Sequence, residues 1–204
     1  MKTLCFFLLA GILIACQSST QEQKQKQTTQ ESKENKTKTN PHNYLELGEK
    51  ITTATQAALL KIVSQAIAQK GTHGAVEYCN IKALSIIDSL SKMHKCQIRR
   101  ISDKYRNPQD KPQNTVEEKG LQTFLEKHQK QEQLVHFTLQ EDNNIYYFKP
   151  IMISMETCLK CHGTEKDINE RTLHTINQLY PNDLAKGYRL RAFRGAWVVR
   201  FQAK

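Results

Sequence analysis

The segment Cys158-Leu159-Lys160-Cys161-His162 has a spacing that is specific to one kind of chemistry. Two thiols at this separation can form thioethers with the two vinyl groups of a haem, and the histidine that follows is placed to bind the iron. We therefore expect one covalently attached c-type haem, held by Cys158, Cys161 and His162. A haem adds apolar bulk to a core of this size, so the segment bears on the fold as well as on function.

Two other chemistries use the same residue types. Cys158, Cys161 and His162 could bind zinc, but adjacent Cys and His side chains rarely reach one tetrahedral ion together, and the sequence has no second C-x-x-C or H-x₃-H pair. A dithiol redox site favours C-x-x-C at a helix start within a βαβ unit, whereas a hairpin is predicted before this segment. A zinc or thiol protein without haem stays open as an alternative.

The hydrophobic pattern predicts helices and short strands on both sides of this segment. Apolar residues at steps of three and four indicate helices, and apolar runs bounded by turn residues indicate strands. The predicted elements are a helix from residue 44 that Gly71 and Gly74 interrupt, a helix over 75–90, a strand near 96–101, a helix over 116–130, a hairpin of 134–139 and 145–151, a helix over 168–179 and a strand over 196–201 with Trp197, Val199 and Phe201 on one face. Helices followed by antiparallel strands are typical of the α+β class.

The two N-terminal helices each have a predicted inward face. In the second helix, Cys79 lies on the apolar stripe and is expected to point into the core. In the first helix, the stripe consists of Tyr44, Leu47, Ile51, Ala54, Ala58, Ile62 and Ala66.

The first residues predict export. Lys2 precedes an apolar run over 4–15 that is too short to span a bilayer, which takes about 20 residues, so residues 1–15 are predicted to be a signal peptide. Leu13-Ile14-Ala15-Cys16 resembles the lipobox of bacterial lipoproteins, which implies cleavage before Cys16 and lipid on its sulfur. Several acyl chains anchor a protein firmly, so we expect lipid attachment to the bacterial cell envelope. The alternative is an ordinary signal peptide with a chance cysteine.

Residues 17–41 are almost entirely small or polar, and such a segment cannot bury enough apolar surface to fold. We therefore predict a lipidated cysteine and a tether over 16–41, followed by one domain over 42–204. The formal charge of the 204-residue chain is +10. For an exported protein this charge is compatible with an anionic membrane surface, an acidic redox partner or haem propionates, solubility alone accounts for it equally well, and we expect no nucleic-acid partner.

The second axial ligand of the iron decides what a haem can do, and the sequence leaves several candidates. Cys79 is attractive because its helix points it inward, although buried free cysteines usually only pack. A Cys79–Cys96 disulfide is also open, because an exported protein meets oxidising conditions. The candidates are His42, His73, His94, His128, His136, His174, Met93, Met152, Met155, Cys79 and Cys96.

The chain resembles a family of single-haem, c-type, PAS-like domains, found as stand-alone proteins and as sensor portions of histidine kinases and chemoreceptors. The segments that match, in order, are Ala75-Val76-Glu77-Tyr78-Cys79, Arg99-Arg100-Ile101-Ser102, Arg106-Asn107-Pro108, Pro112, Glu117, Leu121, Cys158-Leu159-Lys160-Cys161-His162-Gly163, Tyr180-Pro181-Asn182-Asp183, Gly187-Tyr188 and Arg194-Gly195-Ala196. Asp110 departs from the pattern, since the family often has Asn there. The resemblance implies a PAS-like antiparallel sheet flanked by helices, with long N-terminal helices in this chain.

The resemblance also implies His/Cys axial ligation of the iron, by His162 and Cys79. Arg99, Arg100 and Arg106 are candidates for pairing with the haem propionates, since a guanidinium matches a carboxylate in two hydrogen bonds. Our first hypothesis is a membrane-tethered sensor of redox state or of a diatomic gas, without catalysis of its own. The rival is an electron-transfer cytochrome with a redox partner protein, favoured because the sequence contains no kinase or methyl-accepting segment.

Overall fold

The computed structural model of the chain describes residues 41–202 and has an α+β fold, as predicted. The signal peptide predicted over 1–15 and all of the predicted tether except Pro41 lie outside these residues. The elements in chain order are α1 (Pro41–His94), β1 (Gln97–Ile101), a short 3-10 helix (Pro108–Asp110), α2 (Thr115–Gln129), β2 (Phe137–Glu141), β3 (Asn144–Met152), α3 (Glu156–His162), α4 (Glu170–Leu179) and β4 (Phe193–Gln202). None of the helices in this part of the chain has both the length and the apolar character needed to cross a membrane.

The four strands form one antiparallel sheet in the order β1-β4-β3-β2. β4 is the last strand in the sequence, yet it lies inside the sheet, where it pairs with β1 on one side and β3 on the other. Tyr147 of β3 lies opposite Val199, and Arg100 of β1 lies opposite Trp197. The last strand therefore connects β1 to the β2–β3 hairpin.

Each face of the sheet packs against a helix. Trp197, Val199 and Phe201 share a face, as predicted, and form a core with Ile51 and Ile87 of α1. The other face packs against α2 through a second core that contains Ile101, Phe124, Tyr146, Phe148, Ala196 and Val198. Because successive side chains of a strand point to opposite faces, the two cores take alternate residues of the same strands.

Two glycines let the helices approach the sheet closely. A Cβ atom on Gly48 of α1 would collide with the ring of Tyr147, and one on Gly120 of α2 would collide with the ring of Phe148. Tyr147 and Phe148 are neighbours in β3 and are both fully buried. Helices α1 and α2 therefore pack closely against opposite faces of β3 at two neighbouring residues.

Helix α1 bends at Gly71, which has φ 71° and ψ 179°. The sequence predicted a break at Gly71 and Gly74, and the break lies at Gly71 alone. The predicted inward stripe is partly wrong, because Leu47 and Ala54 are exposed while Thr52 and Thr55 are buried. Threonine tolerates burial here because the hydroxyls of Thr52 and Thr55 donate to backbone carbonyls one turn earlier, each at 2.8 Å.

The disulfide that the sequence left open does not form in the described chain, where all four cysteines are free. Cys79 lies fifteen residues before the end of α1 at His94, and Cys96 follows that end. A straight helix of this length spans about 22 Å. The Cα atoms of a disulfide lie within about 7 Å of each other. The continuous helix therefore holds the two thiols apart.

Candidate functional site

Helix α3 carries the C-x-x-C-H segment directly after β3. Residues three positions apart on a helix are neighbours, so Cys158 and Cys161 lie on the same side of α3. The helix ends at His162, and the N–H of the capping residue Gly163 donates to the carbonyl of Leu159 at 2.8 Å. Both thiols are half-buried, and both line one cavity together with His162.

The loop after α4 fixes the end of this segment. The N–H groups of Gly187 and Tyr188 donate to the carbonyls of Gly163 and His162, at 2.7 and 2.9 Å. The carbonyl of Ala185 lies 2.8 Å from Nδ1 of His162. Since a carbonyl only accepts, Nδ1 carries the proton and the lone pair of Nε2 is available to a metal.

The imidazole of His162 is held neutral. Burial lowers the pKa of His162 well below its usual value, and the positive charges of Arg106 and Arg194 lower the pKa further. The ring of Tyr188 meets the imidazole edge-on, with 6.3 Å between ring centroids. A neutral imidazole in a fixed orientation is the form that binds iron.

Arg106 ties the segment to the same loop. Its Nε and Nη2 donate to the two carboxylate oxygens of Asp183, at 3.2 and 3.1 Å. Nη2 also donates to the carbonyls of Cys161 and Ala185, at 2.6 and 3.3 Å. The guanidinium is therefore a positioning group for α3, and since Arg106 also lines the cavity, its predicted role as a propionate partner stays a prediction.

The cavity beside α3 has a volume of about 280 Å³. Its walls are mostly apolar. Residues of α1 from both sides of the bend contribute to these walls, among them Leu59, Val63, Ile67, Ala75, Val76 and Ala83. Cys79 also lines this cavity, so the structure brings Cys79 together with Cys158, Cys161 and His162.

Burial and the nearby charges act in opposite directions on the pKa of Cys79. Burial raises the pKa of Cys79, while the positive charges of Arg100 and Arg106 partly offset this effect. Burial likewise raises the pKa of Cys161. Both thiols are therefore protonated at neutral pH in the chain by itself.

The other predicted axial-ligand candidates divide sharply. Met152 and Met155 line the cavity, as Cys79 does. Cys96 lines a second pocket, formed by the end of α1 and by β1, and the side chain of His42 lies outside the described residues. The described candidates that do not line the cavity are His73, His94, His128, His136, His174, Met93 and Cys96.

Arg99 and Arg100 point to opposite faces of β1. Arg99 pairs with Glu117 of α2 at 3.3 Å and does not line the cavity, so its predicted role beside a haem is wrong. Arg100 lines the cavity and lies 3.5 Å from Asp110, the residue that departs from the family pattern. The alternation of side chains along a strand already separates the two arginines.

Sequence reasoning missed Arg194, which lines the cavity from the start of β4. It also missed Tyr188, which packs against His162. Both residues lie in segments that carry the family resemblance, and this could have identified them as candidate site residues. Within residues 41–202, no three His, Cys, Asp or Glu side chains are grouped closely enough to hold a metal ion.

Comparisons with known proteins identify one family and one similar structure. A family model described as Tll0287-like matches residues 12–202. The crystal structure of the cyanobacterial heme-protein Tll0287 is 24% identical in sequence, with a TM-score of 0.61, and the match covers 80% of this chain and 96% of that chain. No curated protein matches. The structural likeness confirms the predicted PAS-like arrangement of sheet and helices.

Proposed function

This chain belongs to the Tll0287-like family, and on that premise we propose that it is a c-type haem protein of the bacterial cell envelope. Lipid on Cys16 would tether it to the membrane. Its role would be to sense redox state or a small ligand, with no catalysis of its own. The similar cyanobacterial structure is that of a heme-protein, which supports the cofactor.

One observation carries the proposal: Cys158, Cys161, His162 and Cys79 come from two separate elements and line the same cavity. The sequence distance between Cys79 and Cys158 makes this meeting a property of the fold. The two thiols in the c-type spacing can attach to a haem ring, and the imidazole of His162 and the thiol of Cys79 can bind its iron.

The residues present fit a haem in further ways. The apolar walls suit a porphyrin, and the carbonyl of Ala185 leaves Nε2 of His162 available to iron. Cys158 and Cys161 would hold the ring covalently, while His162 and Cys79 would bind the iron. When bound, a haem supplies a one-electron redox centre and an iron that accepts a diatomic gas when one axial position is open.

Cys79 gives the proposed sensor its particular character. A thiolate donates charge and favours ferric iron, whereas a thioether such as that of Met152 or Met155 would raise the reduction potential. Release of Cys79 on reduction would free its position for a gas. Stopped-flow spectra of the ferrous protein mixed with carbon monoxide test this step, and an unchanged spectrum contradicts it.

The main test compares two cysteine variants of protein made with c-type maturation machinery. Cys79→Ala and Cys96→Ala each remove one half-buried thiol, but only Cys79 lines the cavity. We expect covalent haem that stays with the chain on a denaturing gel, an altered iron absorption spectrum in Cys79→Ala and an unaltered one in Cys96→Ala. A change in Cys96→Ala alone contradicts the ligand assignment. Colourless wild-type protein from its native envelope contradicts haem binding itself and leaves the thiol alternative.

A second candidate, an electron-transfer cytochrome, is favoured by the rim of the cavity. Leu60 and Met155 line the cavity and are 41% and 44% exposed, which gives its mouth an apolar surface where a redox partner protein could dock briefly. Fast electron exchange with a periplasmic partner of matching midpoint potential, together with no reaction with carbon monoxide, supports this candidate over the sensor.

A further inference from the structure

Three arginines meet at the cavity, but only two of them have a carboxylate partner. Arg106 pairs with Asp183, and Arg100 lies 3.5 Å from Asp110. Within residues 41–202, no carboxylate oxygen lies within 4 Å of a nitrogen of Arg194. The cavity therefore holds one positive charge more than its neighbouring carboxylates balance.

The side chain of Arg194 is held in place although it lacks an ion partner. Its Nη1 donates to the hydroxyl of Ser102 at 2.9 Å and to the carbonyl of Lys104 at 3.0 Å. Its Cζ lies 5.5 Å from the centre of the Tyr188 ring. Burial lowers the pKa of Arg194, and the positive charges of Arg100 and Arg106 lower it further, so an anion beside Arg194 would be strongly stabilised.

A second polar group nearby also lacks a partner. Tyr188 is 6% exposed and lies behind the residues that line the cavity; its hydroxyl is near Ser102 and Arg194 but is in hydrogen-bond geometry with no described residue. Buried hydroxyls in folded proteins nearly always have a partner, so an orphaned one points to a missing acceptor. Lys104 lies 5.0 Å from the centre of the same ring, which adds a further positive charge.

We propose that Arg194, with the hydroxyl of Tyr188, binds a propionate carboxylate of the haem. This inference rests on the proposed function and adds the residues that orient the ring in the cavity. It puts Arg194 ahead of Arg99 and Arg106 as the main propionate contact, because each of those two pairs with a carboxylate of the protein. Arg100, whose ion pair with Asp110 is long, is the neighbouring cation.

The test uses the holoprotein and the propionate bending band in its resonance Raman spectrum, which responds to hydrogen bonds on the carboxylate. Arg194→Gln removes the charge and the fork of donors, and Tyr188→Phe removes only the hydroxyl. Arg200→Gln is the matched control, because Arg200 lies exposed on the same strand. We expect the band to shift in Arg194→Gln, to shift less in Tyr188→Phe and to stay in place in Arg200→Gln.

Arg194→Lys keeps the charge, and it tests the propionate contact if Arg194→Gln gives no holoprotein. Lysine cannot reproduce a two-pronged hydrogen bond, so its band should lie between those of wild type and Arg194→Gln. If the band keeps its wild-type position in Arg194→Gln, the inference is overturned while haem binding stands. The same holds if the band keeps that position in both Arg194→Lys and Tyr188→Phe. Wild-type protein without haem overturns the proposed function instead.

Discussion

The guanidinium of Arg106 is the point where three segments of the chain meet. It joins the backbone of Cys161, the carboxylate of Asp183 and the carbonyl of Ala185. The carboxylate is almost completely buried, with 1% of the Asp183 side chain exposed. A charge in such a place is tolerated only when it is paired, so the stability of the site depends on this one side chain.

We predict that Arg106→Gln lowers the free energy of unfolding by about 3–5 kcal/mol, because it leaves Asp183 buried and unpaired. Denaturant unfolding of the holoprotein measures the loss. Arg189→Gln, an exposed change in the loop before β4, is the control and should be nearly neutral. The Arg106→Gln/Asp183→Asn double variant should be more stable than Arg106→Gln alone, and an equal or larger loss there would contradict the ion pair.

Between elements, Glu49 links α1 to the sheet. Its carboxylate accepts hydrogen bonds from Tyr147 at 2.6 Å, Lys149 at 2.7 Å and Thr53 at 3.0 Å, and His136 lies 3.1 Å away. Burial alone would raise the pKa of Glu49, but the hydrogen bonds outweigh burial and lower the pKa to about 2. The link therefore depends on the carboxylate being ionised.

This link should weaken in acid. The pKa of Glu49 is lower in the folded chain than in the unfolded chain, so its contribution is present above about pH 4.5 and is lost as the pH falls towards 2. Because the Glu49 side chain is 39% exposed, solvent screening limits the effect to about 1 kcal/mol. In urea unfolding across this pH range, wild type should lose more stability than Glu49→Gln. Glu132→Gln, at an exposed site, should behave like wild type, and identical pH profiles for all three would contradict the prediction.

The bend of α1 is the other feature at this scale. At Gly71 the helix takes a conformation that is open almost only to glycine, and Leu59 and Cys79, on opposite sides of the bend, both line the cavity. The bend therefore gives the cavity two walls from a single helix.

We predict that Gly71→Ala destabilises the holoprotein by about 1–3 kcal/mol and alters the iron spectrum through displacement of Cys79. Gln69→Ala, an exposed change one turn or less away, should do neither. Equal stability of the two variants in thermal unfolding would show that the bend does not require glycine.

For the whole molecule, the sequence predicted the elements better than their contacts. Apolar periodicity located β4 and α2 to within a few residues, because each has one dominant buried face. It failed at Thr52 and Thr55, whose hydroxyls are satisfied by their own helix and so follow no hydrophobic pattern. The C-x-x-C-H spacing predicted the chemistry because its geometry is local.

Residues that act across the fold were harder to predict. Asp183 pairs with Arg106 and not with Arg194, and no local pattern in the sequence reports such a contact. Arg99 is the avoidable error, since strand alternation alone places it opposite Arg100.

Membrane attachment also belongs to this scale. We predict that Cys16→Ala moves the protein from the membrane fraction to the soluble fraction, because the lipid is the proposed anchor. Cys5→Ala, which removes a cysteine within the predicted signal peptide, should leave the protein in the membrane fraction. Immunoblots of fractionated cells measure both, and a membrane-bound Cys16→Ala protein would contradict the anchor.

The inner position of β4 also sets the order in which the domain can assemble. The β2–β3 hairpin needs only its own residues, but β1 has no neighbour in the sheet until β4 has been synthesised about ninety residues later. Contacts between such distant segments form slowly. A ribosome or translocation pore that still holds residues 193–202 therefore holds an unfinished sheet, and the cavity cannot close before those residues are released.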